Sequence, residues 1–508
     1  MTEVSGPAAG TVNHPRGKLG TMHTSLALLE PTPVWSHFAT LCAIPRPSLH
    51  EQALRAHLID WARARGLDNE VDAVGNLILR KPASPGAEGR PGVILQGHLD
   101  MVCQANAGTE HDFERDPIHA EVRDGWVVAE HTTLGADNGI GVALALAALE
   151  ATDLDHPALE VLLTVNEETG MDGARGLRPG SLRGTRLINL DTEEWGHFYL
   201  GCAGGVDVEV TAPLATEPLP ADHVVRRIAV GGLRGGHSGI DIHLGRGNAI
   251  KLLAELLVDL ARASDLRLLH ASGGSARNAI PREAEARIAL PPAEALMLDS
   301  RLQTRLAEWR QRLGEADPGV TLTSQAVDRC PEHALSNHER DRVLAWLVAA
   351  ENGVDTFSQD FPGVVETSSN LGVLKLTDRQ LRATFKVRSL IDAHADALAD
   401  RLVAQADGHG LGAAKDGAYP GWTPRSDSPL LAHCQSVHAD LFGQPAHLQV
   451  IHAGLECGLL AASHPHLDMI SFGPDIRGAH APSERVEIAS VARCWTLLRA
   501  ILARLAID

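Results

Sequence analysis

Positive charge is in short supply in this chain: 45 Lys and Arg stand against 64 Asp and Glu, a formal net charge of −19 over 508 residues. That balance argues against nucleic acid or an anionic membrane as partner, because both are bound through clustered cations. It suits a protein that holds divalent cations, although an acidic solvated surface accounts equally well for most of the excess. Long apolar runs are missing too. The longest uncharged one, Gly139 to Leu149, falls well short of the ~20 residues needed to cross a bilayer. The seven cysteines, at 42, 103, 202, 330, 434, 457 and 494, contain no C-x-x-C pair. An odd, scattered set offers neither a disulfide framework nor a thiolate zinc site, so a reducing cytoplasm is the expected compartment. Cys42, Cys202 and Cys494 lie among apolar neighbours and are expected to pack as small hydrophobes. No internal repeat is evident. Residues 1–24, rich in Gly, Pro, Thr and His, lack the apolar core of a signal peptide and read as a disordered leader, with Met22 an alternative start.

What is present is enough apolar material, 44% of the chain, for more than one core. Trp35, Phe38 and Leu41, then Leu54, Leu58 and Trp61, have helical spacing around the loop Ile44-Pro45-Arg46-Pro47. Strand-like runs follow at 75–80, 92–96, 159–165 and 185–189. The small-residue helix 139–151 has Asp137-Asn138 where its N-cap would stand. Alternating strands and helices predict a mixed, largely parallel α/β sheet flanked by helices. After Cys202-Ala203-Gly204-Gly205 the texture changes to strands at 206–210, 224–230 and 284–290 with helices at 249–263 and 293–313. This predicts an inserted α+β lid over 206–412, splitting a catalytic domain into 25–205 and 413–508.

The chemistry concentrates at strand exits. His98-Leu99-Asp100 follows Val93-Ile94-Leu95-Gln96, and residues two apart on an extended segment point the same way, so Asp100 can orient the His98 ring. Glu167-Glu168 follows the apolar run Ala158 to Val165. One carboxylate of such a pair can bind metal while the other accepts a proton. Asp137 is either a helix cap or a carboxylate bridging two metals, with glycine on both sides allowing close approach. Asp191 ends a strand, where Glu193 and Glu194 compete with it. Each alone is ordinary; four such exits within ~100 residues point to a metallohydrolase.

The ordered motifs H-L-D-M, T-L-G-A-D-N-G, N-E-E-T-G-M-D-G, L-D-T-E-E, G-G-H-S-G, R-N-A-I-P, H-A-G-L-E-C-G and G-A-H-A-P resemble the M20 family of dinuclear zinc peptidases, and within it the aminoacyl-histidine dipeptidase branch, from about Leu28 to the C-terminus. The resemblance implies two Zn2+, for which Co2+ or Mn2+ can substitute: His98 and Asp191 on one, Glu168 and His480 on the other, and Asp137 bridging them with a water between. It implies Glu167 as general base and Asp100 as the partner of His98. It also implies His237 as the donor to the tetrahedral oxyanion, and Asn278, Arg388 and the backbone near Gly454 as substrate contacts. The activity implied is hydrolysis of small peptides with free N-termini, Xaa-His dipeptides such as β-alanyl-histidine included, by a homodimer. An N-acyl-amino-acid amidohydrolase or a tripeptidase on the same centre is the alternative. A catalytically silent metal-binding protein is disfavoured because no motif residue is lost.

Overall fold

The computed structural model describes Leu26 and residues 28–507, apart from 107, 328–330, 360 and 426. The expected leader and Cys330 lie outside the described residues. The chain forms two compact units. The first comprises residues up to Tyr199, 426–448 and from Ser463 onward; the second comprises Leu200–Arg425 and Gln449–Ala462. These divisions differ from the expected 206 and 412. The strand Gly412–Tyr419 pairs with Gly204–Pro213 along its length, which keeps both in the second unit.

The first unit is built on an eight-stranded sheet in the order Asp68–Val71, Leu77–Lys81, Leu159–Thr164, Val93–His98, Arg186–Asn189, Asp468–Ser471, His197–Cys202, His447–Ile451. Val93–His98 runs parallel to Leu159–Thr164 and to Arg186–Asn189, which runs parallel to Asp468–Ser471. All residues of Val93–His98 and Leu159–Thr164 are buried, as continuous apolar runs in a sheet covered on both faces should be. Helix Ala136–Glu150 packs on Val93–His98. Its regular part begins at Gly139, since Asp137 and Asn138 have non-helical backbone angles. The expected capping role is therefore corrected: the N-cap is Gly135, at φ 70, which brings no capping side chain of its own. A smaller sheet, Ile476–Arg477, Arg485–Glu487, Trp126–Ala129 and Ala120–Arg123, holds the loop bearing His480 between its first two strands.

The second unit contains a repeat of topology that the sequence does not display. Val224–Gly231, helix Ala249–Ala263, Arg267–Gly273, Ala284–Leu290, helix Pro292–Leu313 and Thr321–Ala326 form a βαββαβ module with strand order 4-1-3-2. Gly204–Pro213, helix Asn337–Ala349, Val365–Leu376, Gln380–Ser389, helix Asp392–Gly408 and Gly412–Tyr419 form a second module of the same order. The modules join edge to edge where Arg267–Gly273 pairs antiparallel with Val365–Leu376. The first module interrupts the second after its first strand, so no tandem period exists to be seen in the sequence.

Candidate functional site

The parallel strands of the first unit deliver His98, Glu167-Glu168 and Asp191 at or just beyond their carboxyl ends, and Asp137 meets them at the start of its helix. Nε2 of His98 lies 3.1 Å from Oδ1 of Asp137 and 3.4 Å from Oδ1 of Asp191. Nε2 of His480 lies 3.1 Å from Oδ2 of Asp137 and 3.2 Å from Oε2 of Glu168. The side chains thus form two triads, His98–Asp137–Asp191 and Asp137–Glu168–His480, each with its polar atoms within 4.8 Å of one another. Asp137 belongs to both and turns one oxygen to each. Glu167 groups with His98 and Glu168 in the same way. Glu193 and Glu194 join none of these triads, leaving Asp191 as the acid gathered from that exit.

Asp100 reaches more than the His98 ring. Nδ1 of His98 lies 3.1 Å from the Asp100 carbonyl oxygen and 3.4 Å from its carboxylate. That carboxylate also accepts the backbone N–H groups of Glu167 and Glu168 at 3.0 and 3.1 Å and the Ser48 hydroxyl at 2.7 Å. It therefore aims the ring and the glutamate pair together. Burial opposes its charge, but these donors and His98 hold it down to about 2.

Three further residues shape the site and were not singled out for it from the sequence. Glu484, 2% exposed, accepts the N–H groups of Leu134 and Gly135 at 2.8 and 2.9 Å through one oxygen and that of Asp137 at 3.1 Å through the other. Arg46, also buried, donates to the carbonyls of Leu99, Asp100 and Gly135. Asn138 donates to the Leu190 carbonyl at 2.7 Å and accepts from the His98 N–H at 3.3 Å. The one available signal was a charged side chain between two prolines at 46. Glu484 and Asn138 look like any loop or cap residue until the chain is folded.

The site favours positive charge. Hydrogen bonds to Asp137 and Glu168 push His480 up to about 11, and His98 rises well above its ordinary value, burial being outweighed by Asp191 and its other carboxylate partners. Burial drives Asp191 up to about 7. Oε1 of Glu168 is buried with no hydrogen-bond partner among the described residues, a feature that an ion would relieve. Carboxylate oxygens and imidazole nitrogens in two linked triads fit divalent cations.

The remaining predicted residues gather in the second unit. His237 pairs with Ala279 in a short antiparallel ladder, and the Ser238 N–H donates to the Asn278 carbonyl at 2.8 Å, which brings G-G-H-S-G beside R-N-A-I-P. Asn278 itself is exposed. Arg388, 5% exposed, donates to the Tyr419 hydroxyl at 2.7 Å, faces Oγ of Ser238 at 3.5 Å, and lies 3.3 Å from Nε2 of His237. Gly454 abuts the Tyr419 ring so closely that an added Cβ would sit 3.0 Å from it. Tyr419, Ser238 and the buried His452, whose Nε2 lies 2.8 Å from the Ser368 hydroxyl, complete this cluster. Nothing in its sequence neighbourhood marks Tyr419 for selection, whereas His452 opens the H-A-G-L-E-C-G motif, from which only Gly454 was singled out.

Comparison with known proteins places this geometry. Residues 94–504 match the model of peptidase family M20/M25/M40. The chain is 44% identical over 479 residues to the cytosol non-specific dipeptidase of Escherichia coli (strain K12), covering 94% of this chain and 99% of that one. It is similar to the crystal structure of aminoacylhistidine dipeptidase from Vibrio alginolyticus, with a TM-score of 0.84 and 41% identity over 94% of this chain and 98% of that one. Aminopeptidase PepT from Bacillus cereus shares the fold alone, at a TM-score of 0.57 and 16% identity over 94% and 99% of the two chains. The chain belongs to peptidase family M20/M25/M40.

Proposed function

We propose that the protein is a metal-dependent dipeptidase that hydrolyses dipeptides with free N-termini, Xaa-His dipeptides such as β-alanyl-histidine among them. The observation that carries this reading is Asp137, which turns one oxygen toward each of two imidazole-containing triads while Glu167 stands beside them. The names of the Escherichia coli and Vibrio relatives support the substrate class. In this reading His98 and Asp191 hold one Zn2+, Glu168 and His480 hold the other, and Asp137 bridges; Co2+ or Mn2+ can replace zinc at such donors. When bound, the ions polarise the scissile carbonyl and make a water acidic enough to attack near neutral pH.

The chain's own residues do the rest. Glu167 takes the proton of the attacking water and returns it to the leaving amine. Asp100 keeps His98 and the backbone of the glutamate pair in register. Arg388 binds the substrate's carboxylate, and Asn278 and the backbone at Gly454 add contacts. A cytoplasmic homodimer is part of the proposal. The compartment rests on the relative's name and on six free cysteines among the described residues. The dimer rests on the family resemblance and is checked by light scattering. No helix among the described residues is long and apolar enough to cross a membrane.

The test is hydrolysis of β-alanyl-histidine beside an N-acetyl amino acid, after chelation and again after Zn2+ is returned. Metal-restored cleavage of the dipeptide alone is the expected result. Cleavage of the acetylated compound instead would make the protein an N-acyl-amino-acid amidohydrolase, and cleavage of tripeptides in preference would make it a tripeptidase. Glu167→Gln should lower turnover by ~10²–10⁴ while leaving the metal content unchanged.

A further inference from the structure

We propose that Glu51 is a positioning residue for the general base: its carboxylate holds the Asn166 N–H and so fixes the left-handed turn from which Glu167 enters the site. This deepens the proposed function and rests on its assignment of Glu167 as the base.

The segment Arg46-Pro47-Ser48-Leu49-His50-Glu51 sends three side chains beneath the metal-type ligands. Arg46 donates to the carbonyls of Leu99, Asp100 and Gly135, and the Ser48 hydroxyl donates to the Asp100 carboxylate. Glu51 takes the remaining turn. Oε1 of this residue, 3% exposed, accepts the Asn166 N–H at 2.8 Å and the Leu49 N–H at 3.2 Å. Both donors belong to residues of positive φ, 53 at Asn166 and 70 at Leu49. Left-handed backbone is unfavourable for a residue with a side chain, less so for Asn than for Leu, and it persists where the surroundings over-determine it. One oxygen bonded to both residues is such a determinant. Glu51 stands at the N-cap of helix Gln52–Ala64, yet its side chain caps none of that helix's N–H groups. The reach to Asn166 takes the place of the bond its position would ordinarily make. Among the described residues no cation lies within ion-pair distance of Glu51, and the two N–H groups are the partners its charge has.

Asn166 links strand Leu159–Thr164 to the glutamate pair. Its side chain closes the other side of the turn, accepting from the Thr169 hydroxyl and donating to the Asp172 carboxylate. The next two N–H groups, those of Glu167 and Glu168, go to the two oxygens of Asp100. Three successive N–H groups are thus held by two buried carboxylates. A change of backbone angle at Asn166 is felt first by Glu167, the next residue. Glu168 is further held through its place in the triad with Asp137 and His480.

The experiment measures kcat and KM for β-alanyl-histidine, and zinc content, in the zinc-loaded full-length enzyme. Wild type, Glu51→Ala, Glu51→Asp and Glu51→Gln are compared, each made also in the Glu167→Gln background. Asp keeps the charge but withdraws the oxygens by a methylene; Gln keeps an acceptor at the same reach and gives up the charge. A misplaced catalytic group costs up to ~10²-fold, so Ala and Asp should lower kcat ~10–100-fold with KM and zinc content as in wild type. Gln should recover much of the loss. In the Glu167→Gln background the same substitutions should leave kcat little changed, because a residue acting through Glu167 has nothing left to act on. An undiminished loss in that background would overturn the proposal. So would loss of zinc in step with kcat, or recovery by Asp and not by Gln. Should Glu51→Ala fail to fold, Glu51→Asp carries the comparison. Wild-type turnover by Glu167→Gln alone would overturn the base assignment itself, and with it this role. Amide hydrogen exchange over residues 165–170 reads the clamp without activity, even if the dipeptide is not cleaved. Faster exchange in Glu51→Asp than in Glu51→Gln is expected, and equal protection would overturn the proposal.

Discussion

Glu484 lies outside every recognisable motif of the chain, yet it settles where Asp137 can be. Its two oxygens take three N–H groups from one turn, those of Leu134, Gly135 and Asp137, and so fix the backbone from which the shared carboxylate projects. Arg46 does the complementary work on the carbonyl side, tying Leu99 and Asp100 to Gly135. Groups that orient metal-binding side chains in this way typically cost ~10–100-fold in metal affinity when removed. Glu484→Gln, which keeps the shape but puts a donor where an acceptor is needed, should weaken zinc retention by a factor in that ~10–100-fold range in competition with a chelator. Zinc retention equal to wild type would mean that the turn holds its form without this carboxylate.

At the scale of elements, helix Ala136–Glu150 and strand Val93–His98 approach closely because glycine stands at the contacts. A Cβ on Gly97 would sit 2.2 Å from Oδ1 of Asn138, and one on Gly141 would sit 2.2 Å from the carbonyl oxygen of Leu190. The small-residue composition of this helix was readable in advance as a sign of close packing. Which glycines touch which carbonyl was not, because the contact is with a strand exit far along the sequence. Gly141→Ala should destabilise the protein by ~1–3 kcal/mol as an overpacked substitution. Thermal unfolding checks it: an unchanged midpoint would show that the helix can shift outward without loss. Because Asn138 bridges the same contact, zinc retention should fall in the same variant.

For the whole molecule, the acid limb of stability should have a contribution from His452. Burial, then the nearby Arg388, His237 and His243, lowers it to about 3. The unfolded chain takes up this proton near its ordinary value of 6.5, and the folded protein resists until about 3. Between those values the unfolded state binds more protons, so stability present above pH 6.5 is lost as the pH falls toward 3, by up to ~1.4 kcal/mol per pH unit. Urea midpoints measured from about pH 7 to about pH 4.5, within that window, should fall more steeply for wild type than for His452→Gln. Parallel slopes would assign the acid limb to other groups. The paired βαββαβ modules of the second unit also belong to this scale: nested insertion hides their kinship from the linear chain, and only strand order reveals it.

By itself the sequence determined the local matters: buried parallel strands from continuous apolar runs, a tightly packing helix from small residues, and a metal-type side chain at each of several strand exits. These are legible because periodicity and residue chemistry act over a few neighbours. Tertiary structure alone decided that Asp137 turns an oxygen to each of two histidines, His98 and His480, that stand near opposite ends of the chain. It also decided that Glu484 and Arg46 hold the turn and that the strand Gly412–Tyr419 stays with the second unit. Most of these depend on hydrogen bonds or strand pairing between segments distant in the chain, and such partners have no signature in the residues that lie beside them in sequence.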